Sequence, residues 1–139
     1  MTTCTGNRVE CFGVVNNRTM VLNDLGKIAE AAWVKTPMVY KNVDIDEFVI
    51  MPNHMHGIVI IKPHQQARGL HYSLSQIVGS YKNSVTKLAR QLMHDFSWQP
   101  SFYDHVIRKD ESLEKIREYI RNNPLKWELD RNNPANLWM

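Results

Sequence analysis

Hydrophobic positions recur along this chain with two periods, and the switches between them mark the predicted elements. Thr3–Phe12 is short and reads as strand. Gly13–Leu22 reads as a hairpin, with Asn16-Asn17 turning between Val14-Val15 and Met20–Leu22, because asparagine tolerates the positive φ such turns need. Asn23 can cap a helix running to about Lys35: Leu22, Leu25, Ile28, Ala29, Ala32 and Trp33 fall at helical spacing, and Pro37 stops it. Val43–Met51 alternates, with apolar character on both sides toward its end. Pro52-Asn53 punctuates it, and His54–Lys62 follows as a second strand, β-branched through Ile58–Ile61. The shortness of the connection implies antiparallel neighbours. Pro63–Tyr72 is polar, contains Gly69 and reads as a loop. Leu74–Met93 is the clearest helix, with Ser73 as N-cap and Leu74, Ile77, Val78, Tyr81, Val85, Leu88 and Leu92 as one stripe. Ser101–Arg108 alternates as a strand. Asp110 can cap a last helix over Glu111–Asn122, with Leu113, Ile116 and Ile120 buried and Asn123-Pro124 ending it. The tail to Met139 carries Trp127 and Trp138, which are expected to dock on the body.

The resulting order, strand–helix–strand–strand–helix–strand–helix, predicts an α+β domain. Its expected form is a split-βαβ, ferredoxin-like antiparallel sheet with helices packed mainly on one face. Such a fold carries many functions and by itself specifies no chemistry.

At 139 residues, 43% of them hydrophobic and 22% charged, the chain is expected to form one domain over 1–139, with 125–139 as a C-terminal tail. The longest apolar run, Gly57–Ile61, falls far short of a membrane span, and no secretory signal is visible. Cys4 and Cys11 are too few for a disulfide framework and lack metal spacing, so a reduced, cytoplasmic protein is expected. The net charge of +3 is unevenly placed. No Asp or Glu occurs from Phe48 to His94, whereas that window holds Lys62, Arg68, Lys82, Lys87, Arg90 and five of the six histidines. A block of positive charge without acids suits a phosphate backbone, and equally a solvated helix face.

Three groups of residues could carry chemistry. His54 and His56 alternate on a strand and so project side by side, ~7 Å apart at Cα. Neutral imidazoles placed so can converge on one cation, although two histidines on a solvent face would look the same. Zinc with a bound water is one alternative, but no third Cys, His or acid stands nearby in sequence. Tyr119 and Asn123 are four apart and share a helix face. Each also has an ordinary reading, a core-edge tyrosine and a helix-stop residue before Pro124. Trp98-Gln99 with Phe102-Tyr103-Asp104-His105 offers aromatic surface for bases, or simply core.

Taken together these strings resemble a known family. Met51-Pro52-Asn53-His54-Met55-His56-Gly57-Ile58 is similar to the metal-binding strand of the small single-tyrosine HUH transposases (IS200-like), and within them to the branch associated with repetitive extragenic palindromes. The stretches Trp98–Arg108 and Ile116–Pro124 resemble that branch too, as does Leu74–Leu88 with Lys82 and Thr86. The resemblance extends from about Thr3 to Trp138.

It implies a metal-dependent nuclease that cleaves and rejoins single-stranded, hairpin-forming DNA through a 5′-phosphotyrosine, leaving a free 3′-hydroxyl. By motif, Tyr119 would be the nucleophile, and His54, His56 and Asn123 the ligands of Mg or Mn. Lys62, Arg68, Lys82, Lys87 and Arg90 would follow the DNA backbone. A phenol of pKa about 10 needs activation to attack at neutral pH, and its phenolate is a competent leaving group, so the joined state retains the bond energy for resealing. Three neutral ligands leave a cation's charge undiminished. Imidazole also prefers transition metals, so manganese, cobalt or nickel should serve in vitro.

The resemblance further implies a longer first strand than the residues before Cys4 supply, hence an exposed sheet edge. The alternative reading is therefore a truncated or domesticated copy that binds structured single-stranded nucleic acid without cutting it. A metal phosphoesterase acting on small phosphoesters is a third, predicting turnover with no tyrosine adduct. A homodimer through an edge strand is allowed but not required, and no membrane partner is expected.

Overall fold

The computed structural model describes residues 1–63, 73–108 and 110–129. Its centre is the antiparallel pair β4 (Val43–Met51) and β5 (His54–Ile61), joined at Pro52-Asn53 with Met51 opposite His54 and Val49 opposite His56. The register slips between Ile45 and Phe48, a bulge that includes Asp46. β1 (Thr2–Cys4) adds to the other side of β5, giving the order β1-β5-β4, with Thr2 opposite His56 and Cys4 opposite His54.

β2 (Gly13–Asn16) and β3 (Thr19–Leu22) form a separate hairpin. Its turn is Asn17-Arg18, one residue later than expected. Both residues take positive φ, 49° and 61°, so Arg18 adopts a backbone that sequence reasoning reserved for asparagine. α1 (Asp24–Val34) starts as expected, the Asn23 side chain accepting from the Gly26 amide at 2.9 Å. Pro37 then opens a short helix, α2 (Thr36–Val39), because a first helical turn does not require its missing N–H.

α3 (Leu74–Ala89) carries the Ser73–Gln76 capping box. It ends four residues before Met93. Leu88 and Leu92 are exposed, and Ala89 completes the buried stripe of Ile77, Val78, Tyr81 and Val85. α4 (Asp110–Arg121) leads into a 3-10 segment, Pro124–Leu129, which buries Trp127. Part of the tail thus docks as expected, whereas Trp138 lies outside the described residues.

The strand expected over Ser101–Arg108 is not formed. Only Tyr103 pairs there, exchanging both backbone hydrogen bonds with Thr2 (2.7 and 2.8 Å), while Trp98 bridges Thr5. The Lys82 ammonium donates to the carbonyls of Gln99 and Ser101, both at 2.9 Å, and so diverts them from a ladder. The outer edge of β1, expected to be exposed, meets this irregular segment instead.

The two faces of the sheet have different partners. Met55, Ile50 and Phe12 pack with Trp33 and Ala29 of α1 and with Tyr81, Val85 and Ala89 of α3. Gly57 belongs to this face, where a Cβ would come within 2.9 Å of the Trp33 ring. The Tyr81 hydroxyl, sealed in the same core, donates to the Ala29 carbonyl at 3.0 Å. α1 and α3 thus pack on one face, and α4 covers the other, where His54, His56 and Ile58 emerge.

Candidate active site

The period of two along β5 puts His54 and His56 on the α4 face, and the structure brings their rings together there. Their Nε2 atoms stand 3.1 Å apart, at a ring-centroid separation of 4.7 Å. His54 is fully buried and His56 nearly so. Each remaining ring nitrogen has a partner: His54 Nδ1 lies 2.8 Å from Asn53 Oδ1, and His56 Nδ1 lies 2.7 Å from Thr2 Oγ1. Trp127 stacks on His54 with 6.1 Å between ring centroids and 28° between planes.

Burial pulls the His54 imidazole down to about 4, aided by the charge of Arg8, while a hydrogen bond with Asn123 acts in the opposite direction. The ring is therefore neutral near pH 7, the form that binds cations.

α4 supplies the other members. Asn123 is buried and donates from Nδ2 to the Tyr119 carbonyl at 2.9 Å, tying the end of the helix back to the turn that carries the tyrosine. The same side chain also hydrogen-bonds with His54, so the end of α4 meets β5 at this ring. The Tyr119 ring lies 5.6 Å from the His56 ring, tilted by 67°, and the residue is 52% exposed. It opens onto a cavity of about 800 Å³ whose lining includes His56, Ile58, Tyr103, Ile116 and Ile120.

Two imidazoles and the Asn123 amide therefore meet, a set of neutral groups that includes lone-pair donors. Such a donor set fits a divalent cation. No group of three His, Cys, Asp or Glu side chains capable of holding a metal occurs among the described residues, so a third protein ligand here would be the neutral Asn123.

α4 is seated by a contact across 71 residues. Arg117 donates from Nε to Asp46 Oδ1 at 2.8 Å and from Nη2 to Oδ2 at 2.6 Å. Glu114 pairs with both Arg117 and Arg121. The Arg117 guanidinium holds the Asp46 carboxyl below its ordinary range.

The expected DNA contacts are not gathered at this site. Lys62 follows the last residue of β5 and pairs with Asp44 at 2.6 Å. Lys82 and Lys87 lie on α3, behind the opposite face of the sheet, and Arg90, the C-cap of that helix, donates to the Phe96 carbonyl at 3.1 Å. Arg68 lies outside the described residues. Sequence reasoning missed Thr2, Asn53, Asp46 and Arg117 as supports of the site. Asn53 read only as turn punctuation, and the other contacts depend on strand register and helix docking.

Comparison with known proteins adds three findings. A family model described as Transposase IS200 like matches residues 7–123. A Haemophilus influenzae (strain ATCC 51907 / DSM 11121 / KW20 / Rd) protein described as uncharacterized is 38% identical over 147 residues, covering 94% of this chain and 82% of that protein. A solved structure, described as a REP-associated tyrosine transposase bound to a REP hairpin, superposes with a TM-score of 0.63 at 22% identity over 90% of this chain. The present chain spans 64% of that solved chain, and at such identity the likeness is one of fold. No helix among the described residues is long and apolar enough to cross a membrane.

Proposed function

The chain belongs to the IS200-like transposase family, and we propose that it cleaves and rejoins single-stranded, hairpin-forming DNA with Tyr119 as the nucleophile. The observation that carries this reading is the meeting of His54, His56 and Asn123 beside Tyr119, with His56 and Tyr119 lining one cavity. Mg or Mn held by those three side chains would supply positive charge for a phosphoryl oxygen.

The chain's own residues do the rest. The Tyr119 oxygen attacks a backbone phosphorus, and the bond to the 3′-oxygen breaks. That oxygen departs with the electron pair, takes up a proton and becomes a 3′-hydroxyl, while the 5′-phosphate stays on the tyrosine. Attack by a 3′-hydroxyl on the phosphotyrosine restores the phosphodiester and frees the phenol, so resealing needs no nucleotide cofactor. Half-exposure of Tyr119 admits a DNA strand to it. The Asn123–Tyr119 hydrogen bond and the Arg117–Asp46 pair hold the nucleophile in one position, which favours in-line attack. α4 packs on the sheet of its own chain and brings Tyr119 to His56. Lys62, Lys87 and Arg90 are the candidate backbone contacts, and Arg68 would join them from the segment outside the described residues. Lys82 is already committed to two carbonyls.

The test uses purified protein, labelled hairpin-bearing single-stranded DNA and Mn²⁺ on a denaturing gel. A labelled band of protein size, lost in Tyr119→Phe, is expected. Binding in a native gel with no covalent band across a range of DNA sequences and divalent metals would select the non-cleaving module. The short first strand that suggested that module is supported by the structure's pairing of β1 with β5 on one side and with Tyr103 on the other.

A further inference from the structure

We propose that Asn53 and Thr2 are positioning residues that set which ring nitrogen of each active-site histidine carries the proton. Asn53 fixes His54 in the Nδ1–H form, and Thr2 lets His56 exchange one form for the other when a cation enters. The second half rests on the metal-binding reading above, whereas the first concerns the protein alone.

The argument begins at the orientation of the Asn53 amide. Its Nδ2 donates to the Arg8 carbonyl at 3.3 Å, and a carbonyl can only accept. The Asn53 oxygen is thereby turned toward His54 Nδ1, 2.8 Å away, and must receive a proton from it. Flipping the amide would set Oδ1 against the Arg8 carbonyl, oxygen to oxygen, in a residue that is 1% exposed. The Asn53 backbone is pinned as well, its carbonyl accepting from the Thr5 amide at 2.9 Å and the Thr5 hydroxyl at 3.1 Å. A neutral His54 protonated on Nδ1 carries its lone pair on Nε2, the atom aimed at His56.

The Thr2 hydroxyl is different in kind, since it can donate or accept. With no cation present, the 3.1 Å contact between the two Nε2 atoms is satisfied if His56 carries its proton on Nε2 and donates it to His54. His56 Nδ1 then accepts from Thr2 at 2.7 Å. A cation between the rings needs a lone pair on both Nε2 atoms. His56 meets that need by losing the Nε2 proton to water and gaining one on Nδ1, with no change in net charge, while the Thr2 hydroxyl rotates from donor to acceptor. Thr2 is held for this role by its register opposite His56 and its paired hydrogen bonds with Tyr103. Outer-shell partners of this kind typically change metal affinity by 10–100-fold.

Long-range ¹H–¹⁵N correlation spectra of ¹⁵N-labelled full-length protein distinguish the two ring forms directly. In metal-free protein, His54 is expected as Nδ1–H and His56 as Nε2–H. Zn²⁺, a diamagnetic probe with affinity for imidazole, should convert His56 to Nδ1–H and leave His54 unchanged. Asn53→Ala should mix the two forms of His54 and weaken Zn²⁺ binding by 10–100-fold in a calorimetric titration. Asn53→Asp keeps an acceptor beside Nδ1, so His54 should remain Nδ1–H, a distinction that mere loss of packing would not make. Thr2→Val should weaken Zn²⁺ binding, and Thr2→Ser should restore it. An Nε2–H form of His54 in the metal-free wild type, or a ring form indifferent to Asn53→Ala, would overturn the assignment for Asn53. A His56 ring unchanged by bound Zn²⁺ would overturn it for Thr2. Failure of Zn²⁺ to bind the wild type would remove the metal reading and the Thr2 switch together, while the metal-free spectrum would still decide the Asn53 assignment.

Discussion

Arg117 of α4 grips Asp46 of β4 through two parallel hydrogen bonds, Nε to Oδ1 at 2.8 Å and Nη2 to Oδ2 at 2.6 Å. The Asp46 side chain is 15% exposed, and its Oδ1 also accepts from the Glu47 amide at 2.6 Å. The bulge after Ile45 turns this stretch of β4 out of regular pairing, and the strand uses it to meet the helix that bears Tyr119. The planar fork of arginine matches a carboxylate in both distance and direction, so the contact fixes the helix in rotation as well as in place.

Arg117→Ala should therefore reduce covalent complex formation more than it reduces stability. Misplacement of a nucleophile by a fraction of an ångström to an ångström costs on the order of 10–100-fold in rate. A pH signature accompanies it. Asp46 is held below the ordinary carboxyl value, chiefly by the hydrogen bond from Arg117. A carboxyl lowered on folding contributes stability above its unfolded pKa and loses it as pH falls through the folded value. In the wild type that contribution should fade below about pH 4, and in Arg117→Ala this part of the acid limb should be absent. Melting temperatures from pH 2.5 to 6 would show whether the two curves converge at the acid end.

Trp127 should matter to both the fold and the site. It is 8% exposed and stacks on His54 from the 3-10 segment that follows α4. Trp127→Ala is expected to cost about 3 kcal/mol in urea unfolding, the usual scale for removing a buried large aromatic. Trp127→Phe keeps a ring over His54 and should recover most of that loss. A small effect of the alanine change would mean that the segment is not anchored through this side chain.

Helices α1, α3 and α4, and the side-by-side placement of His54 with His56 and of Tyr119 with Asn123, were legible in the sequence because their signals are local. Caps such as Asn23 and Ser73, the stripe of α3, the period of two at His54 and His56, and the four-residue spacing of Tyr119 and Asn123 all act within a few residues. What was not legible depends on distant partners. The alternation in Ser101–Arg108 looked like a strand, but Lys82 takes the carbonyl of Ser101, at its start, and that of Gln99, just before it. Asp46 and Arg117 are far apart in sequence, and Thr2 finds His56 only through the register of β1. Asn53 appeared as a turn residue because its amide acquires a second role only once Arg8 lies beside it.

Lys82 provides a test of how α3 uses its cations. Burial pulls its ammonium below the usual value, and its two carbonyl partners anchor the segment that flanks β1. Lys82→Met should cost about 1–2 kcal/mol of stability, the scale of charged hydrogen bonds lost from a partly buried site. It should leave the salt dependence of DNA binding nearly unchanged. A phosphate contact would instead reduce the slope of log affinity against log salt by about 1. Fluorescence anisotropy at several salt concentrations, on protein shown to be folded, separates these outcomes.

Asn123→Asp tests why the third convergent group is neutral. Asn123 is 3% exposed, hydrogen-bonds with His54 and donates from Nδ2 to the Tyr119 carbonyl. The aspartate is close to isosteric but adds a negative charge and loses the donor to Tyr119. A buried carboxylate beside two imidazoles should bind Mn²⁺ or Mg²⁺ more tightly than the amide, through direct charge attraction. The same charge offsets part of the cation's field at a phosphoryl oxygen, so cleavage with saturating metal should be slower than in the wild type. Calorimetric titration with Mn²⁺ and single-turnover cleavage at saturating Mn²⁺ measure the two effects separately. Tighter binding with slower cleavage would support a site tuned for undiminished cation charge. Weaker binding would place Asn123 outside the ligand set and restrict its role to holding the turn that presents Tyr119.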